Sequence, residues 1–328
     1  MGNKYKLLPF IKGTISSQCS DINVVADLFA GTGAVASSFQ DKQLITNDIL
    51  YSNYISNYAW FGSQIYDEKK LSEIIEAYNN LDVDQENYMT ENFSDTYFSS
   101  KDCSKIGFIR EDIAKLEKAN KINFRESAIL ITSLLYAMDK IAKTCGHYDA
   151  YRHGVTFDTH LELLLPQASN NNNSRNICYN TDTNVLAKSI VSDLVYLDPP
   201  YNSRQYCDAY HLLENVAKWD KPKVYGVARK MNRDTLKSAY CTRNATSAFE
   251  DLIENLQCKY IVLSYNNVAK KGNGRSNAKI SDEDIFEILS NKGAVKVYSE
   301  KYKAFTTGKS NFVDNEERLF LCFCGECA

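Results

Sequence analysis

Four short apolar runs, each ending in an acid, a turn or a polar pair, constrain this 328-residue chain more than any other feature. NVVADLF (Asn23 to Phe29) runs into AGTG, and QLITND (Gln43 to Asp48) stops on an acid. SDLVYLD (Ser192 to Asp198) meets two prolines, and KYIVLSY (Lys259 to Tyr265) precedes a polar stretch. Runs of this length with few polar interruptions read as strands buried on both faces, and the helical stretches between them predict crossover connections. The expected fold is therefore α/β, a doubly wound, Rossmann-like, mostly parallel sheet.

From Trp60 onward the periodicity turns helical, in LSEIIEAYNNL, IGFIREDIAKLEKA and RESAILITSLLYAMDKIAK. This predicts a mainly helical insertion over residues 61–175, flanked by the two parts of the sheet domain, 1–60 and 176–328. The polar run SNNNNSRN (Ser169 to Asn176) reads as an exposed connection. AVASSF, after the glycines, reads as the start of a helix.

The net charge of −3 does not advertise a nucleic-acid ligand, but its distribution is uneven. Tyr201 to Arg243 holds nine basic and four acidic residues, a local charge of +5, and Asn266 to Lys279 holds Lys270, Lys271, Arg275 and Lys279 with no acid. Either stretch suits phosphate contact or a solvated surface. Ten cysteines without a cationic, apolar leader predict reduced thiols and a cytoplasmic location. No run of apolar residues is long enough to span a bilayer, so no membrane partner is expected.

In DLFAGTG (Asp27 to Gly33) a strand delivers the chain into a turn whose glycines let backbone approach a ligand closely. Asp48 follows Gly31 by 17 residues, at the end of the next strand, where a carboxylate can accept hydrogen bonds from ribose hydroxyls. These two features suit a nicotinamide cofactor as well as other adenosine ligands. LVYLDPPY (Leu194 to Tyr201) is more specific, since Asp198, Pro199, Pro200 and Tyr201 arise together by chance in roughly one chain of this size in a thousand.

The residue types in that corner match one chemistry. An exocyclic aromatic amine is a weak nucleophile because its lone pair is delocalised into the ring. A carboxylate oxygen and a rigidly held backbone carbonyl, each accepting one amine hydrogen, draw the nitrogen toward tetrahedral geometry and aim its lone pair at an electrophile. The prolines fix the carbonyl, and an adjacent aromatic offers a stacking face for an extruded base.

With these residues in hand, the chain resembles the alpha-class N6-adenine DNA methyltransferases, the DNA adenine methylase family, over most of its length. The resemblance implies that S-adenosylmethionine is the methyl donor and double-stranded DNA the substrate. It implies cofactor contacts from KYKLLPFI (Lys4, Tyr5, Lys6), from the glycine motif (Asp27, Phe29, Ala30, Gly31, Thr32, Gly33) and from TNDIL (Asp48, Ile49). It adds NTDTNVL, through Thr181 and Asp182, the latter for the cofactor's adenine; LSYNN (Leu263 to Asn267) would flank the substrate pocket. Asp198, Pro199, Pro200 and Tyr201 would be catalytic, and the helical insert would be the target-recognition domain. GHYDAYR and NSRQY place Arg152 and Arg204 near DNA, with Lys270, Lys271 and Arg275 on a basic loop. A restriction-modification setting, with a cognate endonuclease acting separately, follows from the same resemblance. Competing readings are the same chemistry on RNA or a protein amide, a nicotinamide-dependent oxidoreductase, which leaves DPPY unexplained, and a silent nucleic-acid-binding module.

Two other groups carry weaker signals. LFLCFCGECA reads as a C-terminal strand with buried thiols; Cys322, Cys324 and Cys327 would form only part of a zinc set, so no metal is expected. His211 reads as a packing residue on the helix that follows the acid-proline corner.

Overall fold

The computed structural model describes residues 4–158, 160–170, 173–266, 278–301 and 316–325. The chain divides into two compact units. The first comprises Met1–Ile49, Arg175–Gln205 and Leu236–Ala328; the second comprises Leu50–Ser174 and Tyr206–Thr235.

The first unit is built on a seven-stranded sheet. Its strands are β1 (Val24–Asp27), β2 (Gln43–Asn47), β3 (Ile177–Tyr179), β4 (Val191–Leu197), β5 (Gln257–Asn266), β6 (Ala294–Lys301) and β7 (Glu316–Phe323), in the spatial order β3-β2-β1-β4-β5-β7-β6. The first five pair in parallel, and β7 enters antiparallel to both β5 and β6. The order reverses between β1 and β4, which is where an open parallel sheet leaves a crevice at its carboxyl edge. The four apolar runs became β1, β2, β4 and β5, within two residues of the expected ends.

Strand alternation sorts side chains onto two faces. Ala26, Ile45, Val195, Leu197, Ile261, Leu263, Phe320 and Cys322 join one buried cluster with Phe249, Leu252 and Ile253 of the helix Ala245–Asn255. The opposite phase, Val25, Leu44, Leu194, Tyr196, Val262, Leu319 and Leu321, is equally buried. That phase also contains Asp27, Asp198, Ser264 and Glu317, so pleating alone assigns four polar groups to one face.

Two expectations, one in this unit and one at its junction with the second, need correction. AVASSF does not open an α-helix: only a 3-10 turn forms, Ala36–Phe39. The link from β1 to β2 is short, and Ser37 turns its hydroxyl back onto the Ala34 carbonyl at 2.7 Å, a local bond that competes with helix propagation. The run 169–176 is not simply exposed either. Asn173 and Asn176 are buried; the Asn176 Oδ1 accepts the Leu44 N–H at 2.9 Å, and the Asn173 amide donates to the carbonyls of Trp60 and Ser169. Side-chain amides substitute there for secondary structure.

The second unit is helical. Counted in chain order from α1 (Leu8–Gln18), its helices are α2 (Tyr51–Phe61), α3 (Glu68–Asn79), α4 (Tyr88–Phe93), α5 (Ser100–Lys118), α6 (Phe124–Ile141), α8 (Tyr206–Ala209) and α9 (His211–Lys218), with α7 (Thr183–Ala187) in the first unit. Asp67, Ser99 and Asn123 cap α3, α5 and α6 as the sequence chemistry of helix starts requires. Glu214 of α9 accepts the N–H groups of Tyr51 and Ser52 at the start of α2, at 3.0 and 2.8 Å. Segment 206–235 therefore belongs to the helical core, and the basic stretch 201–243 is divided between the two units. His211 is fully buried, with Nε2 2.9 Å from the Tyr148 carbonyl, and burial lowers it to about 4, so it is a neutral packing residue near pH 7.

Candidate active site

The carboxyl edge of the sheet gathers the glycine turn, the end of β2, the segment after β3 and the corner after β4. Leu28 donates its N–H to the Tyr196 carbonyl at 3.2 Å, and Ala30 donates to the Asn47 carbonyl at 3.0 Å. Asn47, at the end of β2, donates to the carbonyls of Leu28 and Thr181 and to the Thr183 hydroxyl, and accepts the Thr181 N–H. One side-chain amide thus ties three segments together. Nothing in the sequence marks Asn47, an uncharged residue next to the acid Asp48.

Gly31 and Gly33 have positive φ, 53° and 83°, a backbone region that glycine enters without Cβ strain. A Cβ added at Gly31 would meet nothing within 4 Å, so the backbone there fronts open space. Asp48 Oδ2 accepts the Gly31 N–H at 2.9 Å, locking the turn to the end of β2. Asn180 in turn donates to the carbonyls of Asp48 and Ile49 at 2.8 and 3.0 Å. Asp182 is exposed and caps the short helix Thr183–Ala187, its Oδ1 accepting the N–H groups of Asn184 and Val185. Phe29 packs edge-on against Tyr240 at 5.1 Å, and the Tyr240 hydroxyl donates to Asn184.

Asp27 lies beneath this turn at 2% exposure. Burial, then repulsion from Asp198 and Asp48, pushes its carboxyl up to about 8, against hydrogen bonds from the backbone of Ala36 and Phe29. It is therefore mostly protonated near pH 7.

The corner is built differently. Asp198 follows the last paired residue of β4, and Leu197 is level with Leu263 of β5, which sets Asp198 beside Ser264. Lys4, in the 3-10 turn Lys4–Leu7, extends its ammonium to 3.2 Å from Asp198 Oδ1, 2.5 Å from Glu317 Oε1 and 2.8 Å from the Ser264 hydroxyl. Ser264 donates to Glu317 at 2.5 Å. Burial disfavours the Lys4 ammonium, but Asp198, Tyr196 and Glu317 together hold its pKa well above the ordinary lysine value. Burial raises Asp198, Lys4 pulls it down and Glu317 raises it further. Tyr201 is half-buried, its ring edge-on to Tyr265 at 6.2 Å and its carbonyl accepting the Lys279 N–H. Burial raises the Tyr201 hydroxyl as well, which keeps it un-ionised near neutral pH.

Of the N-terminal trio, only Lys4 points inward; Tyr5 and Lys6 are exposed. Arg204 is exposed in the first unit, its N–H bonded to Asn202 Oδ1. Arg152 belongs to the second unit, where it lines a cleft of about 560 Å³ together with Lys140, Lys143 and Asp158. Lys270, Lys271, Arg275 and Cys327 lie outside the described residues. Cys322 is buried in β7 with its thiol on the Leu289 carbonyl at 3.3 Å. Glu317 and Ser264 were not singled out by sequence; Ser264 sits in LSYNN, whereas nothing local marks Glu317.

A glycine turn and an acid-proline-proline-tyrosine corner at one edge of a doubly wound sheet define a Rossmann-like α/β domain with the layout of an amino-methyltransferase. The chain belongs to the D12 class N6 adenine-specific DNA methyltransferase family, whose pattern it matches over residues 1–273. It is 33% identical over 344 residues to Modification methylase StsI of Streptococcus sanguinis, an alignment covering 98% of this chain and 51% of that protein. It is 32% identical over 316 residues to Type II methyltransferase M.FokI of Planomicrobium okeanokoites, covering 91% and 47%. With Type II methyltransferase M.NlaIII of Neisseria lactamica it shares 31% identity over 336 residues, covering 98% and 97%. The chain thus spans about half the length of StsI and M.FokI and nearly all of M.NlaIII. No helix among the described residues is long and apolar enough to cross a membrane.

Proposed function

We propose that the chain transfers a methyl group from S-adenosylmethionine to the N6 amine of an adenine extruded from double-stranded DNA, as a modification methylase. The observation that carries this reading is the corner itself. A carboxylate and a proline-fixed carbonyl stand at the carboxyl end of β4, next to a glycine turn that fronts open space, in a chain of the N6 adenine-specific family.

The donor set fits the cofactor. Asp48, whose Oδ2 accepts the Gly31 N–H, would also accept ribose hydroxyls; Phe29, Ala30, Gly31, Thr32, Gly33 and Ile49 would line the cofactor, with Thr181 and the exposed Asp182 toward its adenine. Asp27 serves by shaping the turn from below. When bound, S-adenosylmethionine supplies an electrophilic sulfonium methyl. Asp198 and the Pro199 carbonyl each accept one amine hydrogen, orienting the nitrogen lone pair, while Tyr201 stacks on the base. Transfer would form the N–C bond as the methyl leaves sulfur, and the extra proton on the nitrogen would pass to solvent. An interaction that strengthens as charge develops on the amine lowers the barrier rather than the binding energy.

The helical unit supplies target recognition, with the Lys140, Lys143 and Arg152 cleft as a phosphate contact; Arg204, Lys270, Lys271 and Arg275 add basic groups. A separately acting endonuclease and a cytoplasmic location complete the reading. Methylation-sensitive sequencing of DNA from a host without other methylases, with and without this chain, tests it. Adenine modification at a fixed sequence is expected; unmodified DNA would overturn it.

A further inference from the structure

Two carboxylates, Asp198 and Glu317, share a single ammonium at the corner, and they share it unequally. Lys4 Nζ is 2.5 Å from Glu317 and 3.2 Å from Asp198. Glu317 is 5% exposed and is held by the Ser264 hydroxyl, so its grip on Lys4 is fixed by burial and by a second hydrogen bond. Among the described residues, the charged and titratable groups facing Asp198 are Lys4 from the N-terminal turn, Glu317 from β7, Asp27 from β1, and Tyr196 and Tyr201 on either side in the chain. Lys4 is the one cation among them. Glu317 and Asp198 therefore compete for the same ammonium, and Glu317 holds it at the shorter distance.

We infer that Glu317 is a positioning residue for methyl transfer, which holds the Lys4 ammonium off Asp198 so that the ionised Asp198 carboxylate is not neutralised in an ion pair and keeps a free acceptor direction for the amine. This rests on the reading of Asp198 given above. Without the Glu317 charge, Lys4 closes onto Asp198, occupies Oδ1 and stabilises its ionised form. A purely structural Glu317 would balance the buried Lys4 and nothing more; its loss would cost stability and remove a like charge from beside Asp198, but would not slow transfer at a pH where Asp198 is ionised.

The test is Glu317→Gln in the full chain, measured by single-turnover transfer of labelled methyl to duplex DNA across pH, and by carboxyl carbon NMR titration of Asp198, assigned with Asp198→Asn. The transfer rate is expected to fall about tenfold or more. The acid limb and the Asp198 titration should both move to lower pH by roughly half a pH unit or more. S-adenosylmethionine affinity should stay within about threefold, because Glu317 is not assigned to that site. Glu317→Asp should recover much of the rate. If Glu317→Gln fails to fold, Ser264→Ala, which loosens Glu317, should move both readouts in the same direction by less. An Asp198 titration that does not move overturns the inference, whatever the activity, and so does a titration that moves while the transfer rate on the pH plateau stays that of the wild type. An inactive wild type whose Asp198 titration still shifts on substitution would instead sink the functional reading and leave the Glu317, Lys4, Asp198 relation standing.

Discussion

The two acids at this sheet edge, Asp48 and Asp198, sit at equivalent places in their strands and are held in opposite ways. Asp48 bonds to a neutral backbone N–H, that of Gly31. Asp198 faces an ammonium that is itself clamped by a second carboxylate. A carboxylate on a backbone amide is oriented for neutral hydroxyl donors, the groups of a ribose. One beside a shared cation is held in a charge balance, where a small change in geometry alters how much negative charge it offers. The first arrangement suits binding, and the second suits stabilising charge that appears during reaction.

The largest effect should come from Asp198→Ala. The methyl-transfer rate is expected to fall by at least about a hundredfold, as for loss of one preorganised electrostatic partner. Lys4 keeps Glu317 in this variant, so no uncompensated charge is left and the fold should hold. Rapid-quench kinetics beside a thermal melt would check both halves; near-normal transfer would erase the distinction between the two acids. Asp48→Ala should instead weaken S-adenosylmethionine binding by about 1.5–3 kcal/mol with little change in DNA affinity. Titration calorimetry that found cofactor affinity unchanged would remove Asp48 from the cofactor site.

Tyr201 sharpens the contrast within the corner itself. Its aromatic face is assigned to the base, so Tyr201→Phe should keep much of the activity while Tyr201→Ala loses about 1–3 kcal/mol of stacking. Equal inactivity of the two variants in the same transfer assay would move the chemistry to the hydroxyl. The smallest effect is expected at Arg204, exposed in the first unit. Arg204→Glu should flatten the salt dependence of DNA binding by roughly one unit of slope, with cofactor binding intact. Fluorescence anisotropy across a salt series would show whether that slope moves.

How much of this was legible depended on whether the signal was local. The four apolar runs announced their strands because strands buried on both faces need uninterrupted apolar residues, and DPPY announced its corner because its chemistry is packed into four adjacent positions. Strands β3 and β6 carried no such signal. Ile177 and Val297 are exposed, and β6 is laced with Lys296, Ser299 and Glu300, so neither strand reads as buried. Helix propagation after the glycines was overestimated, since a hydroxyl bonding its own backbone at Ser37 is invisible to periodicity. Glu317 was illegible for another reason: its partner Lys4 lies 313 positions away, and the two meet only because β7 enters antiparallel beside β5. Asn173 and Asn176 look like loop residues by composition and become buried only through partners on other segments.

The central claim is that this edge delivers a methyl group to the N6 amine of adenine. The most direct measurement incubates the purified chain with S-adenosylmethionine labelled in its methyl group and with double-stranded DNA, then digests the DNA to nucleosides and separates them. All incorporated label is expected in N6-methyladenosine of the deoxy series, and none when the chain carries Asp198→Ala. Label in a methylated cytosine, or incorporation that survives the loss of Asp198, would contradict the account.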